Sequence, residues 1–107
     1  MKDVTLDEMN SLLMAECGNL AILLVAKNTD YNNSLHREPI LFPMDSVTGI
    51  KARINDKLNR IKMKGLDDVT EDSLTDLIGY LIHLKIAVEH SKKLPNELTN
   101  NNLNLKL

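Results

Sequence analysis

Aromatic residues are nearly absent from this chain: Tyr31, Phe42 and Tyr80 are the only three in 107 residues. So thin a supply argues against a stacking platform for single-stranded nucleic acid. No surplus of positive charge draws a polyanion from a distance either, since the formal net charge is −2. Any cationic patch must therefore be local. The single cysteine, Cys17, excludes an intrachain disulfide and fits a reducing compartment. Its neighbours Leu13, Leu20 and Ala21 favour a buried thiol over a nucleophile. Long apolar runs are missing too: the longest, Leu20 to Ala26, is seven residues, too short to span a bilayer. Met1-Lys2-Asp3-Val4 has no charged segment leading into an apolar one, as a signal peptide would. These absences lead to the expectation of a soluble, cytoplasmic protein with no membrane partner and no direct nucleic-acid binding.

What is present reads as helix throughout. At this length one domain is expected, residues 1–94, followed by an asparagine-rich flexible tail, 95–107. Thr5 and Glu8 have the spacing of a capping box, and Leu6, Met9, Leu13, Leu20 and Leu24 continue a helical pattern to about Lys27. Gly18 interrupts that pattern, so a close backbone or a bulky group is expected beside it. Asn28 to Asp45 is rich in turn formers and carries Pro39 and Pro43, which makes a long loop. Ser46 is placed to cap a second helix whose apolar stripe is Val47, Ile50, Ile54, Leu58 and Ile61, with Gly65 as terminator. A third helix is expected from Asp67 or Asp68 to about Lys92. Its apolar residues cover more than half its circumference, which calls for a central position or a second subunit. The expected fold is all-α: a small bundle of three main helices with a long loop between helices 1 and 2, packed as an oligomer, most simply a dimer.

Two rows of charge carry the chemistry. Arg53, Lys57, Arg60 and Lys64 lie beside the apolar stripe of the second helix. From there arginine forks onto phosphate or onto a carboxylate of the neighbouring helix. Asp68, Asp72 and Asp76 stand at i, i+4 and i+8, and His83 falls close to the same line. Like charges so spaced repel by roughly 0.2–0.5 kcal/mol per pair on an exposed helix. A divalent metal such as Mg2+ on Asp72 and Asp76 would repay that cost. Otherwise the acids are first-turn and cap residues, or counter-ions for the basic row. No Walker loop, dinucleotide fingerprint, zinc site or catalytic triad is present.

The series Lys27…Asp30-Tyr31, Arg53-Ile54-x-Asp56-Lys57-x-x-Arg60 and Asp68…Asp72-x-x-x-Asp76-Leu77-x-x-Tyr80 resembles the nucleotide modification-associated domain family of bacteriophages and bacteria. The resemblance covers Lys27 to Ala87. Family members usually have glycine where this chain has Asn32, often glutamate at Asp68 and asparagine at Gly79. The resemblance implies an all-α protein that handles nucleotides, commonly in a phage setting. It implies that Lys27, Asp30, Tyr31 and Tyr80 join Arg53, Lys57 and Arg60 around the ligand. The chain is also distantly similar to the all-α pyrophosphatases, whose carboxylate-rich helices bind magnesium. Those enzymes carry two paired-acid motifs, whereas the first helix here offers only Asp7, Glu8 and the isolated Glu16. Three readings follow: a phage-type protein that captures a phosphorylated small molecule or signalling nucleotide and sequesters it from host immunity, a magnesium-dependent nucleotide hydrolase, and a helical protein-interaction module. The first is favoured, because the cation row is fuller than the carboxylate cage and no activated nucleophile is evident.

Overall fold

The computed structural model describes residues 3–92, with side chains described for residues 3–90. The asparagine-rich tail expected at 95–107 lies outside them. Among the described residues the chain is all-α, as expected: three main helices, with a long loop between the first and second. They fall into two compact units, Met1–Asn33 and Ser34–Leu107.

The first unit is essentially one helix, α1 (Leu6–Asp30). Its start is the expected capping box: the Glu8 amide donates to Thr5 Oγ1 (3.1 Å) and the Thr5 amide to Glu8 Oε1 (2.9 Å). It runs one turn beyond Lys27, and the Thr29 hydroxyl donates back to the Val25 carbonyl (2.8 Å) within that turn. Asn32 and Asn33 then turn the chain at φ of 51° and 63°. Asparagine tolerates this left-handed region, so the turn is made without glycine. Three expectations are corrected here. No residue of α1 is buried, and Cys17 is exposed because nothing within its own unit covers it. A Cβ at Gly18 would meet nothing within 4 Å, so no close neighbour explains that glycine. Finally, α1 is long and apolar enough by length and composition to cross a membrane, a property shared with core helices and N-terminal signals. Counting uninterrupted runs overlooked it, since Glu16 is the only charge from Met9 to Ala26.

The second unit contains a short 3-10 turn (Ser34–His36), α2 (Ser46–Lys64) and α3 (Ser73–Lys92). The turn packs on α2, and α2 packs along α3. Asp45, not Ser46, caps α2, accepting from the Thr48 amide at 2.7 Å. Gly65 closes it at φ 85°, a conformation that other residues adopt only with strain. Ile50 is fully buried at the α2–α3 seam, where the small residues Ser73 and Ala87 of α3 are also buried. The expected stripe shifts at one position: Leu58 is 50% exposed, and Lys57 takes the half-buried place.

Helix α3 begins at Ser73, not at Asp67 or Asp68. Residues 67–72 form turns because Asp68 bonds locally: its Oδ1 accepts from the Thr70 amide (2.9 Å) and the Thr70 hydroxyl (2.6 Å). Such side-chain bonds offer the backbone an alternative to helix. Asp72 then caps α3, accepting from the Thr75 amide at 3.1 Å. The row of Asp68, Asp72 and Asp76 along one helical face therefore does not exist. Only Asp76 is inside the helix.

Candidate ligand site on the α2–α3 hairpin

The residues that matter chemically in the second unit gather where α2 leads into the turns before α3. The Lys57 ammonium donates to Glu71 Oε2 at 2.5 Å and stands 3.0 Å from Asp76 Oδ2. Its side chain is only 18% exposed. Burial pulls the Lys57 pKa down, but the hydrogen bonds with Glu71 and then Asp76 outweigh it, and the ammonium titrates above the ordinary lysine value. Glu71 is correspondingly lowered, first by the Lys57 hydrogen bond, and it also accepts from the Ser73 hydroxyl at 3.3 Å.

One turn along α2, Arg60 Nε donates to Asp68 Oδ2 (2.9 Å) and Arg60 Nη2 to Thr70 Oγ1 (2.7 Å). The Thr70 hydroxyl and amide, helped by the Arg60 guanidinium, hold the Asp68 carboxyl down at about 2 against a smaller opposing effect of burial. Lys57 and Arg60 thus face Glu71, Asp76 and Asp68, and the cluster carries a formal charge of −1. A bare phosphate finds both cations engaged and a carboxylate beside each.

The remaining expected site residues divide between the two units. Arg53 is exposed on α2 with no ion pair among the described residues. Tyr80 is half-buried on α3, one turn beyond Asp76. Lys27 lies in the last turn of α1, Asp30 ends that helix, and the exposed Tyr31 caps it by donating its amide to the Lys27 carbonyl (3.0 Å). Of the two acids expected to hold a metal, Asp76 shares Lys57 with Glu71, whereas Asp72 is occupied as the cap. Among the described residues no three His, Cys, Asp or Glu side chains are gathered as a complete metal cage requires.

Sequence reasoning missed Glu71 and His36. A helix starting at Asp67 or Asp68 would put Glu71 in its first turn; the actual start at Ser73 leaves Glu71 in the preceding segment, beside Lys57. His36 lies in the loop and forms a 2.9 Å hydrogen bond, Nε2 to Nδ1, with His83 on α3; the rings are tilted by 44°. No local pattern announces a pairing across 47 residues. One ring must donate and the other accept, so the bond exists only while at least one imidazole is neutral. Burial, followed by the charge of His36, lowers the His83 pKa below the ordinary 6.5. Neutral His83 is thereby favoured by folding. Its stabilisation is complete above pH 6.5 and is lost as pH falls through that value toward the lower folded-state value. Urea unfolding at about pH 7.5 and about pH 5.5 should show wild-type protein weakening on acidification while His83→Phe varies less. A variant that weakens as much as wild type would show that the pair is not responsible. The Asp68 loss falls in a separate, more acid window, between 3.8 and about 2.

No family model matches the chain, and no characterised protein or solved structure shows significant similarity to it.

Proposed function

We propose that the α2–α3 hairpin captures a phosphorylated small molecule of the nucleotide type, as its magnesium complex, and holds it without cleaving it. The observation that carries this reading is the convergence of Lys57, Arg60, Asp68, Glu71 and Asp76 on one cluster. Asp76 and Glu71 would hold the metal, and Lys57 and Arg60 would hold phosphate oxygens. Arg53 on α2 adds a further cation. In a phage setting such a protein sequesters a signalling nucleotide in the cytoplasm of a bacterial host, working as a homo-oligomer. Cleavage would need a metal with fixed ligands and a positioned water.

Calorimetric titration with nucleoside mono- and diphosphates and cyclic dinucleotides, with and without Mg2+, tests the proposal. Arg60→Ala should cost about 1.5–3 kcal/mol of binding free energy, the contribution of hydrogen bonds to charged groups. Unchanged affinity would make Arg60 a purely internal partner of Asp68. Chromatography after long incubation should return the nucleotide intact. Recovery of a cleaved product, abolished by Asp76→Asn, would establish the hydrolase instead.

One observation favours a second reading, the helical interaction module. Leu74, Ile78, Leu81, Ile82 and Ile86 leave an exposed apolar flank on α3. That reading predicts no effect of any nucleotide on stability.

A further inference from the structure

His36 and His83 are two of the three histidines of the chain, and the phosphate reading uses neither. They come from elements far apart in sequence, the 3-10 turn and α3, which the fold of the second unit brings together. His36 Nε2 lies 2.9 Å from His83 Nδ1, while the ring centroids are 5.0 Å apart and the planes tilted by 44°. The rings therefore meet through their nitrogens and are not stacked. Both side chains are half-buried. Burial, followed by the charge of His36, favours the neutral ring of His83. Neutral imidazole is the form that ligates metals.

Two nitrogens so placed have the span of a metal chelate. An imidazole nitrogen binds a divalent transition metal at about 2.0–2.1 Å, so two such bonds at a right angle hold their nitrogens roughly 2.9 Å apart. A tetrahedral angle needs roughly 3.3 Å. The observed spacing matches neighbouring positions of a tetragonal ion, the geometry of Cu2+ and Ni2+, better than those of tetrahedral Zn2+. With each ring's proton on its outer nitrogen, Nδ1 of His36 and Nε2 of His83, both inner lone pairs become available. Only a proton shift within one ring separates that state from the hydrogen-bonded pair.

We propose that His36 and His83 form a two-imidazole site for a late first-row divalent cation, Cu2+ before Ni2+ or Zn2+. Among the described residues no third His, Cys, Asp or Glu joins them, so the other coordination positions go to water. A bound ion would pin the 3-10 turn to α3. Mg2+ is no competitor, since it takes oxygen ligands. His83 lies seven residues beyond Asp76, roughly 10 Å along the helix, so this site and the phosphate cluster stand or fall separately.

Titration of the untagged full chain with Cu2+, followed by calorimetry and by electron paramagnetic resonance, tests it. One Cu2+ per chain should bind, with hyperfine splitting from two imidazole nitrogens. His36→Phe and His83→Phe should each weaken binding about a hundredfold, because the second imidazole of a chelate binds intramolecularly. His90→Gln, which removes the third histidine, should leave the affinity unchanged, since residue 90 lies seven residues beyond His83 on α3. The nitrogen count on the wild-type chain does not depend on how well any variant folds. Absence of saturable Cu2+ binding, a spectrum with one nitrogen, or full affinity in both Phe variants would overturn the site and leave the pair as a hydrogen bond alone.

Discussion

Lys57→Met is expected to lower the unfolding free energy by about 2 kcal/mol, within the range for hydrogen bonds to charged groups. The cost comes less from the bonds lost than from what is left behind. Glu71 and Asp76 both point at the ammonium, at 2.5 and 3.0 Å, and without it two carboxylates face one another in a partly buried place. Removing one member of such a set leaves charge uncompensated, whereas removing the set together does not. Adding Asp76→Asn to Lys57→Met should therefore recover part of the loss, a coupling visible in a double-mutant cycle by urea unfolding. Additive losses would mean that the three side chains do not act as a unit. On the proposed reading Lys57→Met should also abolish nucleotide binding, since it removes an ammonium that would hold the phosphate.

Ile50→Ala should cost more, about 3 kcal/mol. Ile50 is fully buried at the α2–α3 seam, and deleting three of its side-chain carbons removes apolar burial and opens a cavity. In a domain of this size each kcal/mol lowers the melting temperature by roughly 4–8 °C, so calorimetry will resolve the change easily. Leu58→Ala provides the contrast. Leu58 belongs to the same periodic stripe but is half exposed, so it should lose much less. Equal losses would mean that the seam passes through Leu58 rather than Lys57.

That contrast shows how far the sequence was legible. Helix existence, the Thr5–Glu8 box, the Gly65 terminator and the long loop follow from local chemistry, which the chain states within a few residues. The start of α3 does not, because Asp68 serves equally well as a helical first-turn acid or as the acceptor of a tight turn around Thr70. Choosing wrongly drew three aspartates into a row and concealed Glu71 beside Lys57. The apolar stripe of α2 was legible, but which side chain at its edge enters the seam depends on the facing helix. Asp76 and Glu71 on the partner side make Lys57 the better occupant. Burial of Cys17 was inferred from apolar neighbours, yet apolar neighbours on a helix do not cover one another. The His36–His83 bond joins a loop to a helix far along the chain, and no periodicity reaches that distance.

On the proposed reading the Lys57–Arg60 cluster is a place for a phosphate and its metal rather than an internal ion-pair network. A thermal-shift screen of the full chain against mono-, di- and cyclic nucleotides, each with and without Mg2+, addresses this most directly. A ligand at about 100 times its dissociation constant adds about 2.7 kcal/mol to the stability of the protein it binds. The expected result is stabilisation of that order by at least one nucleotide, present with Mg2+, reduced without it, and lost in Lys57→Met. Unchanged stability across the whole screen would contradict the account and leave the cluster as a structural counter-ion network between two helices.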